Sequence, residues 1–376
     1  MKNKISKKFM RITSYTLIII TMITIIAIIV ISKWISRDDY VPKKLGNSVS
    51  AALNNRYGSS CSIVENDKYI FYVNRVKDSF PLIRIDKNSG EKKLLKKNIG
   101  DSDGSALFIY KNTLIYTKSK DLGYSNRYYD IYSCDFDGKK EKLIKKESPV
   151  PHMVIDDYIY IPNLDNALTR LSLINGRKRT LNKEECNNFA GVDKKGKTLY
   201  FETGALKMVK VKINKRRASL WIKSPTEAIG FGSINGEGKK ASKILGIANG
   251  SIWLRGLDVD SIYEVEEIRG EYRTKNVFKK TGSTLIDNSV MEKDKIYYVS
   301  PDKTKLIMFD INTGEDREIY TTPNKNIKIL AAIGDNILIS EWVKDNEHVN
   351  YYDAVNDKSA KNYYINNSGK VLYELD

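Results

Sequence analysis

Two histidines, His152 and His348, are all that the 376 residues offer for imidazole chemistry. That number excludes a three-histidine metal site and leaves little for histidine-based proton transfer. The three cysteines, Cys61, Cys134 and Cys186, lie far apart with no C-x-x-C pair, so neither a zinc ribbon nor a thioredoxin-like site is supported. Buried, small apolar side chains are the expected role for them. No G-x-S-x-G elbow is present for an α/β-hydrolase nucleophile. Residues Asp101–Gly104 open like a calcium loop, but the closing Glu such a loop needs falls on Asn112. The Gly-rich stretch Gly230–Gly238 lacks the Lys-Ser/Thr of a phosphate loop and leads into no helix, so nucleotide binding is not expected. These residues assign no catalytic group, metal ligand or cofactor.

The elements that would position any site repeat. A short run of aromatic and branched residues recurs at Tyr69–Val73, Leu114–Thr117, Tyr158–Ile161, Leu199–Phe201, Ile252–Leu254, Ile296–Val299 and Ile337–Ile339, with starts 45, 44, 41, 53, 44 and 41 residues apart. A turn rich in Asn, Asp, Lys or Gly precedes most of the runs, as in Glu65–Lys68, Asn249–Gly250 and Gly334–Asn336. About ten residues after a run comes a further strand and turn, seen in Ile83–Gly90, Tyr132–Gly138, Leu171–Gly176 and Ile307–Gly314, then a short Lys-Leu strand such as Lys93–Leu95. Each unit reads as a four-stranded antiparallel meander, the size of one propeller blade. The expected fold is an all-β propeller over residues 61–376, with seven blades; six or eight blades, or an open solenoid, are the alternatives. The fourth unit is the most divergent, with 224–240 as its long Gly-rich neighbour. The C-terminal Val371–Leu375 reads as an extra strand that could close the ring on the first blade.

The pattern of aromatic strand, I-D-x-x-x-G hairpin and Lys-Leu strand resembles that of bacterial propellers of unknown function distantly related to the YWTD propellers of lipoprotein receptors. The opening segment, with Leu45–Ser48, Asn55, Gly58 and Asp67–Tyr72, is similar too, and the resemblance covers about residues 45–375. None of the strands carries the Trp-Thr-Asp continuation, so receptor-style ligand binding is not carried over. The resemblance implies a surface-exposed, membrane-anchored or secreted propeller without an assigned reaction.

On this frame His152, after Pro149–Pro151, falls between the second and third blades, at a junction opening onto the face where propeller ligands usually sit; an ordinary strand histidine is the competing reading. The loop Lys118–Tyr129 of blade two mixes Lys118, Lys120, Tyr124, Arg127 and Tyr128, and aromatic faces beside cations suit sugars, acidic polymers or a protein partner. The candidate ligand contacts are therefore Tyr124, Arg127, Tyr128 and His152. A glycan-active lyase or glycosidase is the alternative. It would need paired acids in the central funnel, for which Asp101, Asp103, Glu184, Glu185 and Asp287 lie near predicted junctions.

Ahead of the repeats, the uncharged stretch Thr13–Ser32 matches the ~20 residues that cross ~30 Å of hydrocarbon. The exit, Ile31–Ile35, has no small-residue cleavage pattern, which favours an uncleaved signal anchor. Five cations, Lys2, Lys4, Lys7, Lys8 and Arg11, precede the span, whereas Lys33 and Arg37 follow it beside Asp38 and Asp39, so the N-terminus is expected inside. Lys8, Arg11, Lys33 and Trp34 would mark the two membrane interfaces. The organisation expected is a cytoplasmic tail (1–12), a transmembrane anchor (13–35), a linker (36–60) and an extracytoplasmic propeller (61–376). Residues 1–37 account for seven of the net +17, leaving 56 basic against 46 acidic residues elsewhere. That remainder suits an anionic envelope polymer or lipid headgroups. No basic helix or RNA-binding signature points to nucleic acid. The function expected is a binding, scaffold or sensor module for a protein partner or an anionic wall polymer, with no cofactor.

Overall fold

The computed structural model describes residues 15–30 and, within 63–375, all but 75–78, 101–105, 120–127, 156, 163–166, 187, 193–197, 203–207, 213–221, 224–240, 257–260, 269–270, 281–288, 324 and 344–359. Residues 15–30 form a helix, about 24 Å long at 1.5 Å per residue. Among the described residues no helix is long and apolar enough to cross a membrane. The ends of the expected 13–35 span, with Lys8, Arg11, Lys33 and Trp34, lie outside the described residues, as do the tail and the linker.

The rest is all-β. Seven four-stranded antiparallel sheets follow one another along the chain, each a simple meander of four consecutive strands. They occupy residues 63–96, 107–148, 153–185, 188–223, 241–279, 289–321 and 325–374, numbered here as blades one to seven. The recurring aromatic runs are the second strands, for example Tyr69–Val73, Tyr158–Pro162 and Lys295–Val299. They are the most legible strands because both faces are covered: Tyr158–Pro162 is buried at every position, and in Lys295–Val299 only the first residue is partly open. Burying each such Tyr, Ile or Phe stabilises the fold by roughly 1.5–3 kcal/mol.

The first strands of neighbouring blades lie side by side, as between blades four and five and between six and seven, which places them innermost. The fourth strands form the rim; Lys92–Lys96 has no buried residue, and Glu315–Thr321 is mostly exposed. Apolar clusters cement successive blades. Phe71 and Leu82 meet Leu107 and Tyr116 between blades one and two, and Trp253 meets Met291, Tyr298 and Phe309 between blades five and six.

Ring closure differs from the expectation of an added strand. Val371–Glu374 is the outermost strand of blade seven, paired with Lys361–Asn366, and makes no ladder with blade one. The joint closes through side chains instead. Ile63, Ile70, Tyr72 and Ile85 of blade one pack on Ala331, Ile333, Leu338, Tyr364 and Leu375 of the seventh. The Tyr72 hydroxyl donates to the Leu375 carbonyl at 2.6 Å, and the Tyr373 hydroxyl to the Lys87 carbonyl at 2.9 Å.

A meander sends its strand ends alternately to the two ends of the ring. One end carries hairpins such as 111–112, 249–250, 293–294 and 334–335, between first and second strands, and the turns between third and fourth. Asn249 and Gly250 both have positive φ, 53° and 84°, the conformation of a tight primed hairpin. The opposite end receives the longest connections, 224–240 and 344–360, as well as 97–106, 120–128 and 280–288.

Candidate functional site

His152 sits just before the innermost strand Met153–Ile155 of blade three. Its amide donates to the Tyr160 carbonyl, and its Nε2 lies 2.7 Å from the Cys186 carbonyl oxygen. A carbonyl only accepts, so Nε2 carries the proton. The ring is buried and stands 5.3 Å from that of Phe201 in blade four. Burial pushes its pKa down to about 4, against the opposing pull of the Cys186 carbonyl. The imidazole therefore rests neutral at pH 7, bridging blade three to the connection that enters blade four.

Of the other expected contacts, Tyr128 is exposed, while Tyr124 and Arg127 lie outside the described residues. Lys118 belongs to the strand Thr113–Ser119, opposite Asp130, with its ammonium 6.0 Å from the Tyr132 ring. The acids considered for a central funnel do not gather there among the described residues. Asp101, Asp103 and Asp287 lie outside them, and Glu184 and Glu185 close the outermost strand of blade three, Lys178–Glu185, on the rim. Cys134 and Cys186 are buried free thiols, and Cys61 lies outside the described residues. Burial pushes the Cys134 thiol up to about 11, against the partial opposition of Lys96. It stays an unreactive thiol.

The acids that the structure does bring together, one buried and one half-buried, had drawn no attention as chemistry. Glu65 and Glu292 end the innermost strands Ile63–Glu65 and Ser289–Glu292 of blades one and six. Both reach the hairpin of blade seven that lies between them. The Gly334 amide donates to Glu292 Oε1 at 3.1 Å, and Asn336 Nδ2 to Glu65 Oε1 at 3.3 Å. Lys87 pairs with Glu65 at 2.9 Å. Tyr364 lies beneath them, its hydroxyl held protonated by burial first and by the charge of Glu65 second. Tyr297 is held likewise by burial and then by Asp335 and Glu292. Carboxylates that accept from the donors of one turn clamp three blades together. The signal available beforehand was an acid closing a short apolar strand just before a hairpin.

A second buried acid, Glu264 of blade five, accepts from Ser251 Oγ at 2.7 Å, Lys275 Nζ at 2.8 Å and Asn276 Nδ2 at 2.6 Å. Burial works to raise its pKa, but the three donors outweigh it and hold the carboxyl below the usual range. Both of its oxygens accept, and no group of three or more His, Cys, Asp or Glu among the described residues is placed to hold a metal ion.

No protein-family model matches the chain, and no curated protein does. Solved structures do. Apo AztD from Citrobacter koseri is similar at 14% identity and a TM-score of 0.41, over 69% of this chain and 72% of that one. BamB from Moraxella catarrhalis is similar at 12% identity and a TM-score of 0.41, over 84% and 87%. A streptogramin B lyase structure is similar at 12% identity and a TM-score of 0.47, over 76% and 92%. Likeness of this degree carries no ligand or reaction across.

Proposed function

We propose that the chain is a membrane-anchored, extracytoplasmic binding module: an N-terminal helix tethers a β-propeller that serves as receptor, scaffold or sensor for a protein partner or an anionic envelope polymer. The observation that carries the reading is the difference between the two ends of the ring. One end is made largely of short, hydrogen-bonded hairpins, whereas the two longest connections, 224–240 and 344–360, leave the other. Rigid blades with variable connections at one end are the arrangement by which a scaffold presents a binding surface. The acids described above support binding over catalysis, because each is held by structural donors. The anchor is supported by the helix at 15–30, whose Ile, Leu, Val and Met side chains stand 48 to 68% exposed. A continuous apolar surface of that kind calls for lipid or a partner.

Two measurements test it. Protease added to intact cells with a permeable wall should remove the β domain; complete protection would overturn the orientation. In a thermal-shift panel of anionic polymers, oligosaccharides and divalent ions, a true ligand raises the melting temperature. Turnover of an oligosaccharide in the same panel would favour the glycan-active enzyme instead.

A further inference from the structure

The outer strand of blade seven, Val371–Glu374, lacks the guard that the other long rim strands carry. Resting on the membrane-anchored reading, we propose that this strand pairs antiparallel with the same strand of a second copy of the chain, so that two anchored propellers join rim to rim.

An outermost strand offers a row of peptide groups to any extended chain, and charged side chains are the common guard. The outer strands of blades one, two, three, five and six carry three to five charged residues each, from Lys92, Lys93 and Lys96 in blade one to Glu315, Asp316, Arg317 and Glu318 in blade six. Val371–Glu374 carries one, Glu374, and the nearest cation, Lys370, precedes the strand. Val371 and Leu372 are 41% and 36% exposed, the one adjacent pair of exposed large apolar side chains among the described residues of the ring. The strand is also pinned from behind. The Leu375 side chain lies in the cluster shared with blade one, and the Tyr373 hydroxyl is bonded to the Lys87 carbonyl, so little order remains to be gained on pairing.

The spacing of the outward peptide groups selects a second copy over an ordinary strand. Along an antiparallel ladder, residues whose N–H and C=O point at the partner strand alternate with residues whose groups point away. The Asn366 amide donates to the Lys370 carbonyl at 3.0 Å and the Leu375 amide to the Asn362 carbonyl at 2.8 Å, so Lys370 and Leu375 point inward and their neighbours Val371 and Glu374 outward. Between them Leu372 and Tyr373 stand against the single Tyr364, a bulge that sets the outward residues three positions apart. A regular strand repeats every two residues and cannot meet both. A second Val371–Glu374, turned about a two-fold axis, meets both, with Val371 of each copy opposite Glu374 of the other. No like charges face each other in that register, whereas centred self-pairing of Lys92–Lys96 would set Lys92 against Lys96. Ladder irregularities between third and fourth strands recur in blades one, two, five and six, so the missing charge is what singles out blade seven. One four-residue edge buries less than the roughly 1,200–2,000 Å² of a standard interface. The pair therefore depends on the raised effective concentration of two chains held in one membrane.

The test uses the full chain in membranes of cells that produce it, with Cys61→Ser in every variant and the buried Cys134 and Cys186 left in place. A short bismaleimide is applied to Leu372→Cys and, as control, to Val277→Cys, which is 38% exposed on the rim of blade five. Leu372→Cys should give a product of twice the chain mass in about tenfold higher yield than the control, and adding Val371→Lys should return it to the control level. Equal yields at the two sites would reduce the product to random encounter and overturn the pairing. A cross-linked product of another mass in place of the doubled chain would overturn it in favour of a strand from a different protein. Chains that wash from the membrane would sink the anchor reading instead, and the same two sites compared in concentrated solution then decide the pairing by the same ratio. Equal melting temperatures of the variants establish that folding is not the cause.

Discussion

At the scale of single residues, the environment decides what a side chain of given chemistry does. His152 is an imidazole deprived of water and given one carbonyl, and burial pushes its pKa down to about 4. In the unfolded chain the same group titrates near 6.5, so below that pH the unfolded state takes up the proton first. Stability therefore falls as the pH drops from about 6.5 to about 4 and levels off beneath, a loss of about 3 kcal/mol from this residue. Urea unfolding at pH 7 and pH 4.5 should show it, and His152→Gln should remove most of the difference while lowering stability at pH 7 by about 1–2 kcal/mol. An undiminished acid slope in the variant would assign it elsewhere. Glu264 obeys the opposite sign. Its pKa is depressed in the fold, so its contribution is present above the ordinary carboxylate range and lost in acid. Glu264→Ala leaves Ser251, Lys275 and Asn276 without their acceptor and should cost about 2–3 kcal/mol.

At the scale of elements, the repeat is a physical device. In blades one, two, three, six and seven the third strand ends in Asp, Asn or Ser, whose side chain accepts amides of the following turn. Asp86 Oδ1 takes those of Asn88 and Ser89, Asp135 Oδ1 those of Asp137 and Lys139, and Asn366 Oδ1 those of Ser368 and Lys370. These amides also hold the Asp86 carboxyl below its ordinary pKa. A glycine at positive φ closes the turn, and two of these glycines separate conformation from packing. At Gly90, φ 72°, a methyl would meet open space, whereas at Gly369, φ 81°, it would fall 1.6 Å from the Ile319 carbonyl oxygen of blade six. Gly90→Ala should cost about 1 kcal/mol of backbone strain, and Gly369→Ala more than about 3 kcal/mol with disruption of the joint between blades six and seven. Melting curves of the two variants check this; equal costs would mean that the turn of blade seven does not pack as described.

At the scale of the whole molecule, the ring depends on its last joint. Each blade's strand ladders lie within itself, so blades one and seven are held by an apolar cluster, the Glu65–Asn336 contact and two tyrosine hydroxyls. Tyr72→Phe and Tyr373→Phe should each cost about 1 kcal/mol. Deleting 371–376 should do far more, exposing the third strand of blade seven and removing Leu375 from the cluster. Unfolding should then split into more than one transition, visible as non-coincident fluorescence and circular-dichroism curves. A single transition at an unchanged midpoint would show that the joint is dispensable.

The sequence alone determined the fold class, the four-stranded unit and the location of every second strand, because those strands are buried on both faces and must be apolar whatever lies next to them. The Asx-to-glycine turns were legible for a similar reason: their geometry is local. Short innermost strands such as Ile63–Glu65 and Met153–Ile155 were not, since three residues carry no period, and so Glu65 was read into a turn and Glu292 was not singled out. His152 looked like an open contact because nothing in its neighbours reveals that Phe201 and the Cys186 carbonyl enclose it. Tertiary structure alone decided which polar groups meet. Glu65 and Asn336 are 271 positions apart and meet only because the ring closes blade seven on blade one. Joints between blades join residues distant in sequence, and no local pattern encodes them.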